Sequence, residues 1–288
     1  MIQGIWLPII TPFKDGKIDY LSYKKLIDHY INQGIDGLIS MGTTGEVSTL
    51  YEAEKIELLD ATHEYVNQRV PIFLGHGGNF TEKVINDLQK MSGSGIEGIL
   101  SVSPYYNRPS QEGIYQHFQG IAQSTDLSII IYNIPYRTGR NIENETLYRL
   151  AEIENIVGIK DASGDFCQSS ELLLNRPENF SILSGEDYTL FSSLALGGDG
   201  GILASAHLKT KEFIELFKAF QANDLLYAKK IWKSLSPMIP YLFREPNPAP
   251  IKHLLMQQGL IASDEVRLPL TPCSKKLRDQ LDQIIQLC

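Results

Sequence analysis

The chain has 288 residues, 43% of them hydrophobic, enough to build a full core for one large domain or two modest ones, and this composition argues against disorder. A formal net charge of −8 argues against a general nucleic-acid binder or a binder of anionic membranes, while leaving room for a local basic site. Three dispersed cysteines, Cys167, Cys273 and Cys288, suit neither a disulfide framework nor a zinc site and point to a reducing cytoplasm. The opening residues Met1 to Trp6 lack the basic segment of a signal peptide, and no apolar run is long enough to span a bilayer.

Apolar runs and amphipathic stripes alternate from there on. Gly4 to Thr11 reads as a strand closed by the Thr11-Pro12 turn, and Leu26, Ile27, Tyr30 and Ile31 as a helix ended by Gly34. Gly37 to Met41 is a second strand, entering Gly42-Thr43-Thr44-Gly45-Glu46, and Ile56, Leu59, His63 and Val66 mark the next helix. Pro71 to Leu74 is a strand, followed by a helix on Val84, Leu88 and Met91. Gly98 to Val102 is a strand leading to Pro104-Tyr105-Tyr106-Asn107-Arg108-Pro109, then a helix on Ile114, Phe118 and Ile121. Leu127 to Asn133 is a strand, with a short helix on Leu147, Leu150 and Ala151. Asn155 to Lys160 is a strand that breaks at Ser163-Gly164, with a helix near Gln168 to Leu174. Phe180 to Ser184 and Gly201 to Ala204 are the last strands, with helices over Tyr188 to Leu196 and on Phe213, Leu216, Phe217 and Phe220.

Eight near-continuous apolar strands alternating with eight helices in roughly 220 residues predict an α/β fold, a closed (β/α)8 TIM barrel, with an open doubly wound sheet as the runner-up. Gly34-Ile35-Asp36-Gly37 is echoed by Gly95-Ile96-Glu97-Gly98 and, more faintly, by Gly197-Gly198-Asp199-Gly200. One βα unit reused around a ring would give this echo, and so would a general likeness among helix-Gly-strand junctions. After residue 222 the pattern is helical only, on Ala228, Ile231 and Leu235 and then on Leu277, Leu281, Ile284 and Ile285, with a break at Pro246 to Pro250. The expected organisation is a catalytic barrel over residues 1–222 and a helical extension over 223–288 packed on it or on another subunit.

In such a barrel the C-terminal ends of the strands converge on one site, here Thr11, Thr43, Thr44, Tyr105, Tyr106, Tyr132, Lys160, Gly185 and Ile202. One lysine among hydroxyls, without a carboxylate pair, a histidine cluster or a cysteine, does not fit paired-carboxylate or metal hydrolysis and does fit a Schiff-base lysine with hydroxyl proton carriers. Lys160 has two readings. It turns outward to pair with Asp161, or it is held inward where its amine loses its proton and attacks a carbonyl. Gly42 to Glu46 lacks the Walker lysine, and its glycines let backbone N–H groups approach a small carboxylate, although a glycine-rich turn is common in any such fold. Tyr132 is a core tyrosine or a partner of the lysine one strand away. Arg137 is a solvated loop residue or a fork for a substrate carboxylate. The six histidines show no metal-ligand spacing.

Taken together, Gly42 to Glu46, Tyr132 and Gly158-Ile159-Lys160-Asp161 resemble the N-acetylneuraminate lyase superfamily of class I aldolases. Pro104 to Pro109, Arg137-Thr138-Gly139 and Glu245-Pro246-Asn247-Pro248-Ala249-Pro250-Ile251-Lys252 narrow the resemblance to its dihydrodipicolinate synthase (4-hydroxy-tetrahydrodipicolinate synthase) family, over essentially the whole chain. The resemblance implies a lyase of diaminopimelate and lysine biosynthesis that condenses pyruvate with L-aspartate semialdehyde through an imine on Lys160, with no cofactor and no metal. It implies a homotetramer of tight dimers. Thr44 and backbone near Thr43 would hold the pyruvate carboxylate, and Tyr132, Thr43 and Tyr106 would relay protons, Tyr106 coming from the neighbouring subunit. Arg137 would receive the aldehyde's carboxylate, and Gly185 and Ile202 would give backbone contacts. A sister aldolase with another acceptor, in the manner of N-acetylneuraminate lyase, is the alternative; a non-catalytic barrel would have no use for the lysine and relay hydroxyls.

Many members of the family take lysine as an inhibitor between the subunits of the tight dimer. The resemblance places Val47, Ser48, Glu52, Lys55, Gly77, Asn79, Lys83 and Tyr105 there. Asn79 and Tyr105 fit the sensitive pattern, but Glu52 and Lys55 stand where histidines are expected, and Lys83 where a glutamate would pair with the ligand's amino group. The like charge implies weak or absent inhibition.

Overall fold

The computed structural model describes residues 1–90 and 95–287, the last three by backbone alone, so the predicted contributions of Met91 and of the Ile285 side chain lie outside the described residues. Eight parallel strands close into a barrel in chain order: β1 (Gly4–Pro8), β2 (Gly37–Ser40), β3 (Ile72–Gly75), β4 (Gly98–Val102), β5 (Ser128–Asn133), β6 (Ile156–Asp161), β7 (Ser181–Ser184) and β8 (Gly200–Ile202). The predicted (β/α)8 fold is therefore the observed one, and the open sheet is not. The strands are nearly continuous apolar runs because both faces are covered; in β5, Ile129, Ile130 and Ile131 are all fully buried. The chain forms two compact units, Met1–Gly4 with Ile72–Ile202, and Ile5–Pro71 with Leu203–Cys288.

The helices begin and end where capping chemistry directs. Asp19 accepts the Ser22 N–H at the start of α1 (Tyr20–Gln33), and Gly34 ends it in the left-handed region. Asp165 likewise accepts the N–H groups of Cys167 and Gln168 to open the helix Phe166–Leu174. Two local features depart from the sequence reading. The first strand stops at Pro8, and a two-stranded hairpin, Phe13–Lys14 with Lys17–Ile18, follows; Asp15 and Gly16 both have positive φ, the turn that an Asp-Gly pair favours. The break at Pro246 to Pro250 is shorter than predicted, because Pro250 sits in the first turn of the helix Ala249–Gln257, where a missing N–H costs nothing. That helix packs with Ile239–Leu242 and Lys275–Leu287 around Met238, Leu242, Leu254, Leu277 and Leu281.

The threefold sequence echo has a physical basis. At each copy the acidic residue grips one residue of a neighbouring strand with two hydrogen bonds. Asp36 donates its N–H to the Ile5 carbonyl (3.0 Å) and accepts the Ile5 N–H on its carboxylate (2.7 Å). Glu97 does the same to Ile72 (3.0 and 2.7 Å), and Asp199 to Ile182 (2.9 and 2.8 Å). The carboxylate thus satisfies the N–H group at or near the start of a strand, where the ladder has not yet provided an acceptor. Asp36→Ala should lower stability by about 1 kcal/mol, since it leaves that N–H of buried Ile5 without its acceptor, and Asp36→Asn, whose amide oxygen still accepts, should lose less. Thermal unfolding of both variants measures the difference.

Candidate active site

Lys160 is the penultimate residue of β6, and its residue exposure is only 7%. The side chain is turned inward and is not paired with Asp161. Asp161 faces the other way and is engaged elsewhere, accepting the Ser163 N–H (3.0 Å) and the Ser169 hydroxyl (2.5 Å) of the adjoining helix. The pairing of β5 with β6 explains the placement. Ile129 pairs with Ile156, but Ile130 pairs with Gly158, so one extra residue, Val157, is inserted into β6. Without that bulge Tyr132 would stand beside Ile159; with it, Tyr132 stands beside Lys160. The Lys160 ammonium lies 4.2 Å from the centroid of the Tyr132 ring.

Gly185, just after β7, makes room for the lysine. A Cβ there would stand 2.7 Å from Lys160 Cγ and 2.9 Å from Cε. Its own N–H is committed to the Asp161 carbonyl at 2.7 Å, which leaves its carbonyl as the group able to face a ligand. Burial lowers the Lys160 pKa to about 8; the Arg137 guanidinium assists, and Asp187 and Glu186 oppose. A change of that size is worth about 3 kcal/mol in favour of the neutral amine. Burial moves the Tyr132 hydroxyl the other way, above the usual tyrosine value, so it stays protonated across the physiological range.

Two loops flank this group. Arg137, exposed, sits in the helical turn Pro135–Thr138 that follows β5 and ends at Gly139. Arg108 donates its Nε–H to the Gly139 carbonyl (2.8 Å) and so ties that turn to the loop after β4. In the latter, the Asn107 N–H bonds the Tyr105 carbonyl (2.9 Å) around Tyr106, whose φ is +72° and which is 90% exposed. A γ-turn of that hand is rare and strained, of the order of 1–2 kcal/mol for a residue with a Cβ. Ile202 closes β8, fully buried.

In the other compact unit, the turn after β2 carries Thr43, exposed, and Thr44, buried. Thr44 Oγ accepts a hydrogen bond from the Asn247 amide (2.9 Å), and the Thr11 hydroxyl donates to the Gly45 carbonyl (2.7 Å), so Thr11 braces the turn. Asn247 lies in the Glu245 to Lys252 motif, 203 residues along the chain from Thr44, and nothing in the sequence signals their contact. Of the residues ascribed to an inhibitor cleft, Lys55 pairs with Glu52 (2.8 Å), Lys83 pairs with Asp87, and the Asn79 carbonyl accepts the Asn107 amide (2.8 Å). Ser48 and Tyr105 are exposed. Among the described residues no group of three or more His, Cys, Asp or Glu is placed to hold a metal ion, and no helix is long and apolar enough to cross a membrane.

All of residues 1–288 match the model of the Dihydrodipicolinate synthetase family. The chain belongs to that family. It is 55% identical over 284 residues to a Clostridium acetobutylicum protein named 4-hydroxy-tetrahydrodipicolinate synthase 2, covering 99% of each chain. It is 41% identical to the 4-hydroxy-tetrahydrodipicolinate synthase of Thermodesulfovibrio yellowstonii, over 99% of this chain and 98% of that one. Among solved structures of the family, dihydrodipicolinate synthase from Thermotoga maritima superposes with a TM-score of 0.96 at 38% identity, covering 100% of this chain and 98% of the other. The Cyanidioschyzon merolae enzyme with lysine bound gives 0.95 at 34% identity, over 99% and 97%. The family read from Lys160, Tyr132, Arg137 and the two proline-bounded motifs is therefore the family found.

Competitive labelling with acetic anhydride across pH, read by mass spectrometry, should give Lys160 a midpoint near pH 8, against about 10.4 for surface lysines. The amine is neutral and reactive above its midpoint, so labelling rises with pH. Gly185→Ala, which pushes the lysine stem toward water, should raise that midpoint while the fold persists.

Proposed function

We propose that this chain is a class I aldolase-type lyase that condenses pyruvate with L-aspartate semialdehyde to 4-hydroxy-tetrahydrodipicolinate, the committed step toward diaminopimelate and lysine. The observation that carries the reading is Lys160, buried with a lowered pKa against the face of a protonated tyrosine. The synthase names of full-length relatives support it and do not favour a sister aldolase with another acceptor.

The neutral amine of Lys160 attacks the keto carbon of pyruvate, the carbinolamine loses water, and a protonated imine remains. That imine is an electron sink, so the methyl group gives up a proton and becomes the nucleophilic carbon of an enamine. The enamine attacks the aldehyde, whose oxygen takes a proton; the acceptor's amino group then displaces Lys160 from the imine carbon and closes the ring. Each step moves a proton over a short distance, which suits a chain of hydroxyls. We assign that relay to Tyr132, Thr43 and Tyr106. Thr44 binds the pyruvate carboxylate: with Asn247 donating to its oxygen, its own O–H remains free to donate. Arg137, exposed beyond the lysine, offers a planar fork to the carboxylate of the aldehyde, and the Gly185 carbonyl and Ile202 backbone complete the contacts. The covalent imine takes the place of a cofactor. Dispersed cysteines accord with a cytoplasmic enzyme.

We further propose a tetramer of tight dimers in which Tyr106 serves the neighbouring subunit; an exposed tyrosine at the apex of a strained turn supports this. Mixing Tyr106→Phe with Thr43→Val protein tests it. Recovered activity in the mixture indicates sharing, and none above the parents would confine the relay to one chain.

Borohydride reduction in the presence of pyruvate should yield one adduct, at Lys160, and Lys160→Ala should lose nearly all turnover while folding normally. Arg137→Ala should still form the adduct but show a KM for aspartate semialdehyde raised by about a hundredfold, the loss expected for a charge-assisted pair of roughly 3 kcal/mol. An adduct elsewhere overturns the mechanism, and unchanged acceptor kinetics overturn the role of Arg137.

A further inference from the structure

A second buried lysine, which the mechanism above does not use, lies behind the turn that carries Thr43 and Thr44. The side chains of Lys252 and Glu46 are both 0% exposed, and their charged atoms are 2.5 Å apart. The Lys252 ammonium also donates to the Glu265 carbonyl (2.8 Å) and lies 4.3 Å from the centroid of the Phe13 ring. The second oxygen of Glu46 accepts the backbone N–H of Arg267 at 3.1 Å. Arg267 is itself fixed: its guanidinium forks onto Glu54 (2.5 and 2.6 Å), donates to the carbonyls of Gly16 and Thr49 (2.8 and 3.0 Å), and also covers Phe13 (4.4 Å).

Two further observations connect this cluster to the turn. Glu46 (φ +53°) and Met41 (φ +54°), which bracket Gly42 to Gly45, both occupy the left-handed region, which a residue with a Cβ keeps only where its surroundings impose it. In addition, Asn247, which bonds Thr44, immediately precedes the N-cap Pro248 of the helix Ala249–Gln257, and Lys252, which ion-pairs with Glu46, lies in its first turns, its N–H bonded to the Pro248 carbonyl at 2.9 Å. One helix and the residues leading into it therefore hold the turn at two points.

We propose that the buried Glu46–Lys252 pair, together with Asn247, is the positioning device of the pyruvate-binding turn, fixing Thr43 and Thr44 in the geometry they need. Glu46 and Lys252 are positioning residues: they are wholly enclosed and reach substrate only through the turn. The pair is all-or-none, because removing one partner leaves the other as an uncompensated buried charge. This inference rests on the reading of Thr43 and Thr44 as the groups that meet pyruvate.

The test uses the full-length protein as Glu46→Gln, Lys252→Met and the double variant, with KM for each substrate, kcat and thermal unfolding measured for each. The singles should be less stable and show a KM for pyruvate raised about tenfold or more, with the KM for the aldehyde within about twofold of the parent. The double variant, free of unpaired charge, should recover stability but keep the raised KM for pyruvate, since the tether is still missing. If the KM for pyruvate recovers with stability in the double variant, or is unchanged in singles that fold, the pair is only a stability element and the inference fails. Asn247→Ala loosens the other hold without touching a charge, and should raise the KM for pyruvate even if no charge variant folds; an unchanged value there overturns the inference in the same way. Failure of the parent protein to form a pyruvate-dependent adduct at Lys160 would instead defeat the functional reading on which the inference rests.

Discussion

A lysine taken out of water loses part of its hold on its proton, and two are buried among the described residues. Burial brings both Lys160 and Lys252 to a pKa of about 8, so that number alone does not make a nucleophile. Their surroundings separate them. The Lys252 ammonium is enclosed and engaged by a carboxylate and a carbonyl, whereas the Lys160 ammonium rests on a tyrosine ring, with acidic side chains near enough to act only through the field. Asp187 and Glu186 oppose the loss of the proton and Arg137 promotes it, leaving an amine that changes charge close to neutral pH, as the imine chemistry proposed for it would require.

The position of that amine depends on two departures from regular structure. The bulge at Val157 changes which residues of β6 share a face with Tyr132, and so decides that Lys160, not Ile159, stands beside the ring. The missing side chain at Gly185 leaves a slot for the lysine stem that even one methyl group would block.

The opposite end of the barrel shows the complementary economy. Acidic residues on three separate junctions, Asp36, Glu97 and Asp199, each bind both backbone groups of one residue in an adjacent strand. The device is local and repeats with the βα unit, which is why it survives as a visible echo in the sequence. Left-handed residues are spread more widely: Met41 and Glu46 follow β2 and Tyr106 and Arg108 follow β4, whereas Asn67, Gln68, Asn179 and Asn223 lie after helices or ahead of strands.

The sequence by itself determined the barrel, its eight βα units and the family, because alternation of buried strands with amphipathic helices is written in side-chain periodicity and the motifs around Lys160, Tyr132 and Arg137 are contiguous. The Asp15-Gly16 hairpin signal is likewise carried by two adjacent residues. Only the tertiary structure decided which way Lys160 points, since that turns on one inserted residue whose effect exists only against a neighbouring strand. Likewise Asn247 with Thr44, and Lys252 with Glu46, are separated by some two hundred residues, and neither contact leaves a periodic trace. Local propensity and period are properties of a segment and can be read from it, whereas desolvation, register and the pairing of buried charges belong to what surrounds a segment and appear only once the chain is closed.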